Sequence, residues 1–188
     1  MMCGRYEYLT TNPKLKKFWV LVSENGKAAQ GEVFPSNNVV TLGADKEGTV
    51  KAGLTHWGFE GFKKGQLMIN ARAETVTEKK TFKKPFEEHR CVFPMSGFYE
   101  WNTEKEKFLF TSDDILYVGG FYRTHESKDG WRTESIILTT QPNETVAPIH
   151  DRMPLIIEEN DIEKWIKDEA FAKDYLKKKM EKLKKVQV

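Results

Sequence analysis

Between residues 33 and 140 the chain returns repeatedly to short apolar or alternating runs closed off by turn residues. The runs at 39–42, 49–57, 90–93, 98–101, 107–111, 116–121 and 134–140 have the length and period of strands. One stretch inside this region, 75–89, reads as helical and is interrupted by Pro85. Ahead of the strands, Asn12 is placed to cap a helix that opens on Pro13. Leu15, Phe18, Trp19 and Val22 share one face of that helix, and Asn25-Gly26 closes it. Beyond the strands, 159–166 and 169–185 again carry helical sequence. Helix, then many strands, then helices predicts an α+β fold with a curved, mostly antiparallel, barrel-like sheet flanked by helices. At 188 residues, without internal repeats or a linker, one domain over 1–188 is expected.

Composition removes several function classes. No apolar run approaches the ~18 residues of a membrane span, and Arg5 and Glu7 follow the start too closely for a signal peptide or lipidation segment. The two cysteines, Cys3 and Cys91, make no disulfide framework and suit a reducing cytoplasm. Cys91 sits in the apolar run Cys91-Val92-Phe93 and reads as a packed core thiol. No metal-ligand spacing of the Cys-x-x-Cys or His-x-x-x-His type occurs, and no phosphate-binding glycine loop, so neither a metal nor a nucleotide cofactor is expected. A net charge of only +2 means that a nucleic-acid partner would be held by local clusters. Lys173, Lys177, Lys178, Lys179, Lys182, Lys184 and Lys185 read as the solvated face of the last helix.

The start, Met1-Met2-Cys3-Gly4-Arg5, places a thiol close to the chain terminus. Once residues ahead of it are removed, Cys3 becomes a 1,2-aminothiol. Its amine can condense with an aldehyde to an imine, and its thiol can then close on the imine carbon as a thiazolidine. An internal cysteine cannot do this, because its nitrogen is held in an amide. Tyr6, Tyr8 and Leu9 alternate with polar residues, so a strand is expected to tie Cys3 in place.

Three polar clusters follow downstream. In Gly97-Phe98-Tyr99-Glu100-Trp101, alternation puts Glu100 on the face of Phe98, where desolvation would raise its pKa toward general-acid use. An edge-strand Glu100 paired with a lysine is the equal alternative. In His150-Asp151-Arg152-Met153-Pro154, His150 belongs to a loop leading into a strand at 155–157, and loops are where function tends to sit. His56, His89 and His125 lack such company and are given no catalytic role. In Asn70-Ala71-Arg72-Ala73-Glu74, Asn70 ends an apolar run and either orients a reacting group or caps a turn. Arg5, Arg72 and Arg152 each lie two residues from Cys3, Asn70 or His150, a strand spacing that would bring guanidinium and reactive group out together. Three such arginines suit phosphates. Trp57 and Trp101 could stack on bases, though each alone is as readily core.

In order and spacing, these motifs with Cys3-Gly4-Arg5 resemble the SOS-response-associated peptidase (SRAP) family of abasic-site processing proteins, from Cys3 to about Trp165. Met1 departs from the family pattern, in which the cysteine directly follows the initiator. The resemblance implies the same α+β architecture. It also implies a monomeric DNA-damage-response protein, cytoplasmic and nucleoid-associated when bound. Such a protein crosslinks its N-terminal cysteine to the ring-opened aldehyde of abasic sites in single-stranded DNA, with lyase and autopeptidase activity as further possibilities. It favours Cys3, Asn70, Glu100 and His150 as catalytic residues, Arg5, Arg72 and Arg152 as phosphate ligands, and Pro35, Ser36 and Thr139, after Phe34, as lining of the DNA groove. The alternative is a cysteine peptidase using Cys3, His150 and Asn70 or Glu100, including self-removal of the leading methionine.

Overall fold

A computed structural model describes residues 3–61 and 63–188. The alternating start forms β1 (Tyr6–Tyr8), and α1 (Pro13–Val22) follows. The Asn12 side chain accepts the N–H groups of Lys14 and Leu15, satisfying orphan donors of the first turn. A 3₁₀ turn over Ser23–Asn25 and the positive φ of Gly26 end this helical segment. The strand-rich region contains β2 (Gly31–Val33), β3 (Asn38–Ala44), β4 (Val50–Trp57), β5 (Phe59–Glu60), β6 (Leu67–Met68) and β7 (Asn70–Arg72). After α2 (Lys80–Glu88) come β8 (Arg90–Met95), β9 (Gly97–Trp101), β10 (Lys107–Thr111), β11 (Leu116–Ser127) and β12 (Gly130–Thr140). The chain closes with β13 (Met153–Pro154), α3 (Ile162–Lys167), α4 (Glu169–Tyr175) and β14 (Lys184–Gln187).

Five strands close on themselves in the order β11-β8-β3-β4-β12 and back to β11. All pairs in this barrel are antiparallel except β4 with β12. A second, wholly antiparallel sheet runs β14-β10-β9-β1-β2. The expected α+β class and barrel-like sheet are therefore what the chain forms. Trp57, Phe93, Phe121 and Trp165 are fully buried in a continuous core.

Three boundaries differ from the sequence expectation. Helix is not continuous over 169–185: α4 stops at Tyr175, and 184–187 pairs with β10. The open edge of β10 offers that segment backbone partners, and the exposed Lys184 and Lys185 shield the new edge. Within 75–89 only Lys80–Glu88 is helical, and Thr75 turns instead, its carbonyl accepting the Glu78 N–H at 3.0 Å. The strand expected at 155–157 is instead β13, with Ile156 in an isolated bridge to Val118.

Arg90 joins two helix ends to the barrel. Its guanidinium is buried and donates to the carbonyls of Phe86, Glu87, Trp165 and Ile166 at 2.6–3.1 Å. These are last-turn carbonyls of α2 and α3, which have no partner within their own helices. Arg90→Ala leaves them buried without donors and is expected to destabilise the protein by about 3 kcal/mol, as urea unfolding would measure.

Candidate functional site

The register of β1 against β9 sets Tyr6 opposite Phe98 and Glu7 opposite Gly97, so the segment before β1 runs alongside Glu100. Gly97 is needed for the pairing of β9 with β10, because a Cβ there would lie 2.5 Å from the Phe110 carbonyl oxygen. Cys3 leaves the extended pattern with φ of 40°, a left-handed conformation uncommon for a residue with a side chain. Its backbone N–H donates to Glu100 Oε1 at 2.6 Å. Both residues are buried, Cys3 at 3% and Glu100 at 1% exposure. His150 follows a turn built on Val146, whose carbonyl accepts the N–H groups of Ile149 and His150. Its Nε2 lies 3.9 Å from Glu100 Oε2, and its Nδ1 accepts the Arg152 N–H at 3.1 Å.

The electrostatics follow from burial. Desolvation raises the Glu100 carboxyl above its ordinary value, opposed by the hydrogen bond to Cys3 and by the charge His150 carries when protonated. Desolvation also pushes the Cys3 thiol well above its ordinary value. The charge of Glu100 and a hydrogen bond to it act in the same direction, and Arg152 offsets part of the rise. A carboxyl and a thiol whose charged forms are disfavoured by burial thus lie beside an imidazole.

Arg152 is buried beside them. Its Nη1 and Nη2 each donate to one oxygen of Glu74 at 2.8 Å, and Nη2 also reaches the Thr139 carbonyl and hydroxyl at 2.9 and 3.2 Å. Thr139 stands near the end of β12, opposite Arg72 of β7 on one edge and Pro154 of β13 on the other. One strand end therefore gathers the Asn70-to-Glu74 motif and the His150-to-Pro154 motif. Arg72 is exposed. Among the described residues, Asn70 Nδ2 and Arg152 Nε are buried donors without a hydrogen-bond acceptor.

Arg5 lies apart from Cys3. Its guanidinium covers the Phe34 ring at 3.9 Å, lies 5.4 Å from Trp101, and donates to Glu32 at 2.8 Å. Lys107 binds the same Glu32 oxygen at 2.6 Å and sits 4.1 Å from the Tyr99 ring. Tyr99 and Trp101 alternate with Glu100, so this aromatic and cationic cluster occupies the opposite face of β9. The i, i+2 expectation for Cys3 and Arg5 does not hold, because Cys3 is outside β1 and left-handed. Pro35 is half-buried and Ser36 exposed in the loop after Phe34, with the Ser36 N–H on the Trp57 carbonyl at 2.8 Å.

Two expected DNA-lining residues have other duties. Trp57 is fully buried, its Nε1 on the Ile69 carbonyl at 3.2 Å and its ring 5.2 Å from that of Tyr6, leaving no face for a base. Thr139 is likewise fully buried and supports Arg152. No sequence pattern singles out Glu32 or Lys107. For Glu74 a signal existed: Asn70, Arg72 and Glu74 alternate, the spacing that brings side chains out on one side of an extended chain.

Residues 2–188 match the family model described as SOS response associated peptidase (SRAP). The abasic site processing protein YoqW of Bacillus subtilis is 31% identical over 190 residues, covering 93% of this chain and 84% of its own length. YoaM, an abasic site processing protein of the same organism, is 33% identical over 156 residues, 77% of this chain and 68% of its own. A crystal structure of a Bordetella bronchiseptica protein superposes with a TM-score of 0.80 at 18% identity, covering 99% of both chains, which shows the shared fold. With the match running through the motifs that meet around β9 and the end of β12, the chain belongs to the SRAP family.

Proposed function

We propose that this protein senses abasic sites in single-stranded DNA and crosslinks to them through Cys3. The observation that carries the reading is the buried Glu100 carboxyl 2.6 Å from the Cys3 nitrogen. In the full chain that nitrogen is the Met2–Cys3 amide, and Met1 and Met2 lie outside the described residues. Their removal frees the amine. The amine adds to the ring-opened aldehyde, and Glu100 protonates the departing hydroxyl so that water leaves and an imine forms. The thiol sulfur then bonds to the imine carbon while its proton passes to the nitrogen, closing the thiazolidine. A thiol held neutral is a weak first nucleophile, which supports the amine as the group that opens the reaction.

Asn70, with its unpaired amide donor, would take a sugar oxygen. His150 would stabilise the opened sugar hydroxyl and assist reversal or β-elimination. Arg72 is the foremost phosphate ligand, since Arg5 and Arg152 already hold Glu32 and Glu74 and would have to exchange partners. Trp101 and the loop at Pro35 and Ser36 would flank the strand. A single strand is the natural substrate, because an unpaired damaged sugar is easily extruded.

A second reading, self-removal of the leading residues, draws on the same contact. Glu100 faces the nitrogen of the amide to be cleaved, and Cys3 holds a strained φ. Intact mass spectrometry of wild type and Glu100→Gln tests it: retention of Met2 in the variant alone supports self-processing, and equal processing of both overturns it.

The crosslink itself is read by denaturing electrophoresis with an abasic oligonucleotide. Cys3→Ala is expected to lose the stable adduct while leaving an imine that borohydride traps. An undiminished stable crosslink would exclude the thiazolidine. Glu100→Gln is expected to slow adduct formation ~10²-fold with binding nearly intact. Because the Glu100 pKa is raised, its acid form persists above the ordinary carboxylate range and is lost as pH rises. The wild-type rate should therefore carry a falling alkaline limb that Glu100→Gln lacks. Arg72→Ala should weaken binding and reduce the salt slope by about one phosphate contact. A slope unchanged from wild type would remove Arg72 from the DNA site.

A further inference from the structure

Glu74 reaches the edge of the reactive cluster through Arg152. Its two oxygens take both terminal nitrogens of Arg152 at 2.8 Å, a two-point grip that fixes the guanidinium plane as well as its position. Thr139 completes the hold from beneath through its carbonyl and hydroxyl. The Arg152 side chain is only 6% exposed, so losing this counter-charge would leave a cation in a desolvated site.

The consequence reaches His150 through the backbone. The Arg152 N–H is the group that donates to His150 Nδ1 at 3.1 Å. Nδ1 also has the Arg152 carbonyl oxygen and Asp151 Oδ1 at 3.3 Å, both longer, and the Asp151 side chain is largely exposed. An N–H aimed at Nδ1 makes that nitrogen an acceptor, so the neutral ring carries its proton on Nε2. Nε2 is the atom facing Glu100 at 3.9 Å, and Glu100 holds the Cys3 nitrogen. A chain of contacts thus runs from Glu74 through Arg152 and His150 to Glu100 and Cys3.

We infer that Glu74 is a positioning residue: by clamping Arg152 against the end of β12, it holds the Arg152 backbone where its N–H orients His150 with Nε2–H toward Glu100. The inference rests on the crosslinking role proposed above for Glu100 and His150, and it adds that the Glu74–Arg152 pair is a strut inside the site. The competing idea is that Glu74 merely occupies a guanidinium meant for phosphate. The two ideas predict opposite outcomes when Glu74 is neutralised.

The test uses Glu74→Gln, which keeps side-chain volume, beside Glu74→Ala, with thermal unfolding to verify that each is folded. Should Glu74→Ala fail to fold, Glu74→Gln decides. The positioning role expects crosslinking to abasic single-stranded DNA to slow by about 10²-fold, as misplacement of a reacting group does, with binding and salt slope unchanged. It also expects the long-range proton–nitrogen NMR pattern of the His150 ring, assigned against His150→Gln, to leave the Nε2–H form in the free protein. A wild-type rate with an unchanged ring pattern would overturn it. Tighter binding with a steeper salt slope and an undiminished rate would also overturn it, making Glu74 a competitor for phosphate. If wild type itself forms no adduct, the crosslinking reading fails, and the His150 ring pattern alone then decides for or against Glu74.

Discussion

Strand β12 is hydrogen-bonded along both edges, and each edge changes partner along its length. On one edge it meets β4 at Glu134 and Ser135 and then β7 at Ile137 to Thr139. On the other it runs with β11 up to Ile137 and then takes β13 at Thr139 and Thr140. The first pairings close the barrel, and the second hold two short segments that have little core of their own. A three-residue strand and a two-residue strand could not persist alone. Their side chains reach fixed positions because a long, buried strand supplies their backbone partners. Arg72, Thr139 and Arg152 are brought together by this handover at the end of the barrel.

Burial sets the chemistry available there. Glu100 and the Cys3 thiol are both removed from water, which disfavours the charged form of each. The protein compensates with specific donors, not with bulk positive charge: the Cys3 N–H at Glu100 Oε1, and His150 nearby. Arg5 and Arg152 are similarly matched to carboxylates at Glu32 and Glu74. A site so neutralised agrees with the modest net charge of +2, and Arg72 stands exposed at the same strand end.

The second sheet divides its two faces between different tasks. One face of β9 presents Phe98, stacked on Phe110 at 5.1 Å, together with Glu100. The other presents Tyr99 and Trp101 to Arg5, Lys107 and Glu32. Alternation along five residues therefore places an acid and an aromatic and cationic patch back to back. The loop after β2 brings Phe34 onto Arg5, so the patch is built from four parts of the chain.

The period-two runs that became the barrel, the Asn12 cap of α1 and the residue types that meet at Cys3, Glu100 and His150 are all legible along the chain. Each of these is local: a cap needs the next few residues, and a strand needs its own alternation. Tertiary structure decided what depends on partners far away along the chain. The Cys3–Glu100 contact joins residues 97 positions apart, and the Arg152–Glu74 pair spans 78. Whether Trp57 meets solvent or Tyr6, and whether Arg5 shares a face with Cys3, turned on which strands pair and on one left-handed residue. The lysine-rich end, helical by composition, became a strand because β10 offered it hydrogen bonds that helix propensity could not outweigh. Local propensity is worth tenths of a kcal/mol per residue, whereas burial and backbone pairing act over the whole fold.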